Sequence, residues 1–213
     1  MKVTLFLLSI LSVVILAGCA TIMAPPTPRV RNVVLPDPKT VPSAPYIHVS
    51  PNIKFLKSSE VREIMKRYTD VYYVPDDDKY FLPTKQNMDV IVPYLHKVFT
   101  KLGIHYIADA TDCDDFARLK AELSQLILGQ AYNVEASPMI FVIFVSQKKS
   151  WANVASGGKH ALCVYACVNE DKNNQVEVYA WEPQNVNVVN IDQYPNKDSV
   201  FYIGRAIKKI YEK

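Results

Sequence analysis

Asp112-Cys113-Asp114-Asp115-Phe116-Ala117-Arg118-Leu119-Lys120-Ala121-Glu122-Leu123-Ser124-Gln125-Leu126-Ile127-Leu128-Gly129 is the stretch that decides how this chain folds. Asp112 is suited to cap a helix, and Asp114 and Asp115 fall in its first turn, where the peptide dipole favours negative charge. Phe116, Leu119, Leu123, Leu126 and Ile127 recur at helical spacing, and Gly129 is the expected stop. The next apolar run changes period. Met139-Ile140-Phe141-Val142-Ile143-Phe144-Val145 is continuous, β-branched and aromatic, which predicts a strand covered on both faces. A polar loop from Gln147 to Gly158 leads into a second strand from Lys159 to Val168. Asn169 to Asn174 is a turn cluster, and Gln175 to Trp181 alternates as the return strand. Short strands are expected over Val186 to Val189 and Val200 to Ile203. Helices first and antiparallel strands afterwards predict an α+β domain with the helix packed on the sheet.

Upstream, Ser58 or Ser59 can cap a helix through Val61, Ile64, Met65 and Tyr68. Asp70 to Asp78 is an aromatic stretch ending in an acidic turn, with no assigned role. Leu95, Val98, Phe99 and Leu102 share a helical face that Gly103 can end. Pro93 is expected in the first turn of that helix, after an extended Met88 to Val92. No internal repeat is visible.

At the N-terminus, Met1-Lys2 precedes an apolar run from Val3 to Leu16 and then Ala17-Gly18-Cys19. The run is short for a bilayer span and describes an export signal over residues 1–18. Leu16-Ala17-Gly18-Cys19 resembles the bacterial lipobox, which implies lipidation of Cys19 and a membrane anchor that does not cross the bilayer. Ala20 after the cysteine implies an outer-membrane address in the cell envelope, facing the periplasm. Eight of the 14 prolines lie between Ala20 and Pro51, so residues 19–52 read as a semi-rigid tether and residues 53–213 as one domain. Loss of Lys2 with the signal reduces the formal net charge from +3 to +2. Basic residues are dispersed among acids, which excludes a nucleic-acid partner. With Cys19 lipidated, Cys113, Cys163 and Cys167 remain. The last two, four residues apart on one strand, stand roughly 13 Å apart, too far for a disulfide, and read as buried small hydrophobes.

Cys113 has the setting a nucleophile needs: a thiol at a helix N-terminus, where dipoles favour thiolate and backbone N–H groups can hold an oxyanion. If the hairpin centres near Asp171, His160 faces Glu182 within a residue or so. A carboxylate beside an imidazole fixes its tautomer and stabilises its protonated form. A one-residue slip would send the glutamate to the other face. Asp112, Asp114 and Asp115 oppose thiolate formation by repulsion. Capping is one reading of these three acids; a hard cation such as calcium is the other.

The segments Asp112-Cys113-Asp114-Asp115-Phe116-Ala117, Lys159-His160-Ala161 and Trp181-Glu182-Pro183-Gln184 resemble the papain-like and transglutaminase-like cysteine hydrolases. They are similar to bacterial transglutaminase-like cysteine peptidases and to the papain-like domain of fungal agglutinins, which uses a glutamate third member and depends on calcium. The resemblance implies a papain-like fold, with Cys113 as nucleophile, His160 as base and Glu182 as orienting carboxylate. It also implies a thioester route for cleaving a peptide or amide bond in a peptide or protein substrate, including cell-wall peptide. A transglutaminase differs only in taking an amine in place of water. The competing class is a non-catalytic envelope-binding or phage-exclusion lipoprotein that keeps the fold. The chain departs from the pattern in having Lys159 before the histidine and no glutamine shortly before the cysteine. Tyr106, Gln86 and Asn87 are the alternative oxyanion donors. Tyr72-Tyr73, Trp151 and Trp181 are candidates for a substrate groove, with core packing as the alternative.

Overall fold

A computed structural model describes residues 41–68, 77–104 and 112–204. The signal at residues 1–18, Cys19, the tether as far as residue 40, Tyr72-Tyr73, His105 and Tyr106 lie outside the described residues.

The elements run β1 (Lys54–Lys57), α1 (Ser58–Lys66), β2 (Lys79–Leu82), α2 (Lys85–Lys101), α3 (Cys113–Tyr132), β3 (Ser137–Pro138), β4 (Ile140–Ser146), β5 (Lys159–Asn169), β6 (Gln175–Trp181), β7 (Val188–Asn190) and β8 (Val200–Gly204). An antiparallel five-stranded sheet has the order β7-β6-β5-β4-β8, and a small sheet pairs β1-β2-β3. The architecture is α+β.

β4 and β5 are continuously apolar because both faces of the large sheet are covered. Ala161, Cys163, Tyr165, Cys167 and Trp181 pack with α2 and α3 in one core. Leu162, Val164, Ala166 and Ala180 face a second core closed by α1, β2, Ile191 and Tyr194. Cys163 and Cys167 are free thiols buried in the first core.

Three expectations change. α2 begins at Thr84, whose Oγ1 accepts the Asn87 N–H at 3.2 Å, so Pro93 lies inside the helix rather than in its first turn. Asp89, Val90 and Pro93 are on the exposed side, where water can satisfy the carbonyl that proline leaves without a donor. α3 runs through Gly129 to Tyr132 and is ended by Asn133 in the left-handed region, φ 49°. Its buried face is centred on Phe116, Ala117, Lys120, Ala121, Leu123, Ser124, Ile127 and Leu128, with Leu119 packed at its margin and Leu126 exposed. Ser58 is the first helical residue of α1 rather than its cap, and the Glu60 carboxylate accepts the Lys57 N–H at 2.7 Å.

Residues 41–52 of the expected tether lie against the domain. Pro42 O accepts the Tyr94 hydroxyl at 3.3 Å, and Val41 and Ile47 pack on the helix-side core.

Candidate active site

α3 delivers Cys113 as its first residue because Asp112 caps it. The Asp112 carboxylate accepts the Asp114 N–H at 3.2 Å and also the Asp115 N–H. Among the described residues this leaves the Cys113 N–H as the first-turn donor that the cap does not take, a group suited to an oxyanion.

His160 is delivered by the second residue of β5. Gly157 and Gly158, at φ 101° and 91°, turn the chain into the strand in a conformation that residues with a Cβ rarely adopt. Two backbone bonds hold the turn, from Gln147 N–H to Gly158 O at 2.9 Å and from Gly157 N–H to Gln147 O at 2.6 Å.

Glu182 follows the end of β6. Cys163 opposes Trp181 and Asn169 opposes Gln175, so the hairpin is two residues out of the expected register. An even shift preserves the face, and the carboxylate meets the ring along a diagonal. His160 Nε2 and Glu182 Oε2 are 2.6 Å apart, both buried. Glu182 Oε1 accepts the Gln184 N–H at 3.0 Å, and the Glu182 N–H bonds Asn187 O at 2.9 Å, so the carboxylate sits in a bonded turn. Trp181 Nε1–H donates to Asn185 O at 3.2 Å, and the Asn185 amide donates to Ala152 O at 3.0 Å, tying this turn to the Trp151–Val154 loop.

The Cys113 side chain acts on the same ring, raising the His160 pKa together with Glu182. With Nε2 on Glu182, Nδ1 is the ring nitrogen available to the thiol. Burial alone would lower the pKa of the ring, but Cys113 and Glu182 outweigh it and push it up to about 9. The sequence-predicted trio of Cys113, His160 and Glu182 therefore converges.

The acids behave as a capping cluster. Asp112 and Asp114 share a hydrogen bond that lowers the first and raises the second to about 6, and Arg118 pairs with Asp114 at 3.1 Å. Asp112, Asp114 and Asp115 bring carboxylate oxygens within 4.8 Å of one another. In donor type they fit calcium, supplying three of the roughly six to eight oxygens it takes.

Asn87 and Gln86 are not oxyanion donors. Asn87 Nδ2 donates to His48 O at 2.7 Å and Tyr132 Oη at 2.9 Å, and Oδ1 accepts the His48 N–H at 3.0 Å. Tyr132 is the last residue of α3, about 30 Å along the helix from Cys113. Gln86 is exposed at the same end. Trp181 is core rather than groove, and Trp151 packs edge-on against Tyr194, with ring centroids 5.1 Å apart.

Sequence reasoning missed Lys120. It is fully buried two turns behind Cys113, and Nζ has no hydrogen-bond partner among the described residues. The rings of Phe99, Trp181 and Phe116 surround it at 5.2, 5.5 and 5.9 Å. Burial brings its pKa down to about 8 against the opposing pull of Cys163 and Glu182. Its spacing of four from Phe116 was the available signal.

No protein-family model matches the chain, and no curated protein matches it. Two solved structures are similar at 15% identity, each over 70% of this chain. One is a Polyporus squamosus lectin bound to a human-type influenza-binding epitope, at TM-score 0.46 over 49% of its length. The other is a PSL1a-E64 complex, at TM-score 0.45 over 50% of its length. The chain thus spans about half the length of each, and neither similarity bears on activity.

Proposed function

We propose that this chain is a papain-like cysteine hydrolase carried on a membrane-anchored lipoprotein of the cell envelope, cleaving peptide or amide bonds. One observation carries the reading: a buried imidazole bonded to a buried carboxylate at 2.6 Å and held protonated by that carboxylate and a helix-start thiol together. Such an imidazole holds a proton at neutral pH, and the thiol that loses it becomes the nucleophile.

Cys113 Sγ attacks the carbonyl carbon, and the oxyanion forms against the Cys113 N–H. Collapse breaks the C–N bond, and the leaving amine takes its proton from His160. A thioester remains on Cys113. Water, losing a proton to His160, attacks it and releases the acid and the thiol. Glu182 stabilises the imidazolium and holds the ring throughout. An amine in place of water gives the transglutaminase outcome on the same residues. Asp112, Asp114 and Asp115 are the groups that would hold calcium, which when bound would offset their repulsion of the thiolate. The proton path itself uses no metal.

Iodoacetamide labelling of the full chain, read by mass spectrometry, tests the proposal. Rapid alkylation confined to Cys113 is expected at pH 7, slowed by about 100-fold or more in His160→Ala. A thiol as slow as free cysteine in the parent chain refutes it and leaves the non-catalytic envelope lipoprotein.

A further inference from the structure

We propose that the cavity enclosed by β1, the start of α2, the end of α3 and the β5–β6 turn binds a small zwitterion, an amino acid or a dipeptide. Its carboxylate is taken by the Tyr132 and Thr84 hydroxyls together with Lys54, and its ammonium by Glu170. The site lies about 30 Å along α3 from Cys113 and does not depend on that thiol being reactive.

The end of β5 builds the cavity. Val168 bridges Thr84, and its N–H donates to Pro83 O at 2.9 Å, so the strand abuts the first turn of α2. Beyond Asn169 the chain turns through Glu170–Lys172 and then two left-handed residues, Asn173 and Asn174, at φ 54° and 59°. Asparagine is among the residues that adopt that region most readily. The turn sets Glu170 at one side of the cavity, and Lys54, where the chain arrives from residues 41–52, closes another. The volume is about 360 Å³, at the small end of ligand pockets, and Leu82 and Val168 add an apolar strip.

Two hydroxyls in the wall have donors to spare. Tyr132 and Thr84 are 5% and 2% exposed. Tyr132 Oη accepts the Thr84 N–H at 3.3 Å and the Asn87 Nδ2–H at 2.9 Å, and Thr84 Oγ1 accepts the Asn87 N–H at 3.2 Å. The Asn87 amide cannot turn round to accept, because its Oδ1 takes the His48 N–H at 3.0 Å. Among the described residues no group accepts the protons of these two hydroxyls, and buried donors are rarely left so.

The charged groups of the cavity are also unmatched. Lys54 and Glu170 line the same space, yet neither forms an ion pair among the described residues. Lys172, two residues on, is taken by Glu177 at 2.7 Å. Burial raises the Tyr132 pKa and the Glu170 carboxylate raises it further, so the acid acts on the same hydroxyl that lacks an acceptor. Hydroxyl protons without acceptors, beside an ammonium, suit a carboxylate. An unpaired acid suits a cation. A simple anion is repelled by Glu170, and a simple cation is repelled by Lys54 and accepts nothing from the hydroxyls, so a ligand carrying both charges fits best. Held between Lys54 and the Tyr132–Glu170 side, it pins the incoming segment to the domain.

Isothermal titration of the full chain with alanyl-alanine tests the proposal. Binding is expected, weaker by about tenfold or more for N-acetyl-alanyl-alanine, which lacks the ammonium, and for alanyl-alanine amide, which lacks the carboxylate. Glu170→Gln should erase discrimination against the acetylated probe, and Lys54→Gln should reduce discrimination against the amide. Both side chains are exposed, so these variants keep the test decisive even where Tyr132→Phe, expected to weaken the dipeptide about tenfold, fails to fold. Repeating the titration after iodoacetamide treatment should leave binding unchanged, with the dipeptide also raising Tm. Absence of binding, equal binding of the three probes, variants that discriminate as the parent does, or binding lost on alkylation of Cys113 overturns the proposal.

Discussion

Lys120→Met should make the protein more stable at pH 7, not less. The lysine has a pKa of about 8 against an ordinary value of 10.5. That difference corresponds to about 3 kcal/mol held against the folded state while the ammonium is charged. The three rings around Nζ return part of it. Their centroids lie 5.2 to 5.9 Å away, near the outer limit for a cation–π contact, so each returns about 0.5 kcal/mol. Methionine keeps the unbranched stem and places a thioether among the same rings, a favourable contact. The net gain is about 1–2 kcal/mol, or about 5 °C in Tm for a domain of this size. The pH dependence gives the sharper assay. Below pH 8 the lysine is charged in both states, and the folded state bears the whole cost. Between pH 8 and 10.5 the folded lysine loses its proton before the unfolded one does, so the parent gains stability as pH rises. Urea unfolding of parent and variant at pH 7 and 10 should therefore show an advantage for methionine that fades at the higher pH. His160 titrates in both proteins and cancels in the difference. A variant less stable than the parent at pH 7, or an advantage equal at both pH values, refutes the assignment of Lys120 as an uncompensated buried charge.

Glu182→Gln should bring the His160 pKa down from about 9 toward its ordinary 6.5, read by NMR of the imidazole protons, because a carboxylate bond at 2.6 Å is lost. The raised value contributes stability that is complete below pH 6.5 and lost as pH rises through 9, so the variant should show a flatter stability profile there. Asn87→Ala removes bonds to His48 and Tyr132 at the far end of α3, and should cost about 2 kcal/mol in urea unfolding. Alkylation of Cys113 should not change in that variant; a slower rate would return Asn87 to the site. Chelation with EDTA separates the two readings of the aspartates: an unchanged iodoacetamide rate of Cys113 leaves them a capping cluster, and a drop restored by calcium assigns them an ion that offsets their repulsion of the thiolate.

What could be read from the sequence is what two-sided burial writes into it. β4, β5 and β6 were legible because each lies between two cores, so long apolar and alternating runs had no other explanation. The sheet of β1, β2 and β3 was not legible, since strands of four, four and two residues carry little periodicity and their pairing partners are remote in the chain. The start of α2 was hidden by weighing Pro93 above Thr84, although a proline on the solvent side of a helix disturbs only a carbonyl that water can reach. Lys120 was hidden by its charge. A lysine in a helix reads as surface, and only the turn of α3 toward Ala117, Ala121 and Ser124 puts it inside.

The convergence of Cys113, His160 and Glu182 was legible for a reason that also explains how it tolerated an error. His160 and Glu182 lie on adjacent strands joined by a short turn, so their meeting depends on the parity of the register more than on its value. The observed shift of two residues turned a direct cross-strand pair into a diagonal one and left both side chains on one face. A shift of one would have separated them completely. Cys113 obeys a different constraint, since helix capping by Asp112 fixes it at the first turn wherever α3 lies on the sheet. What neither constraint encodes is the height of α3 along β5, which sets the distance from sulfur to ring. That is carried by the packing of Ala117 against Cys163, whose Sγ–H donates to Ala117 O at 3.2 Å. Small residues at this contact let helix and sheet approach closely, so the reach of the nucleophile to its base is set by a contact one helical turn behind it.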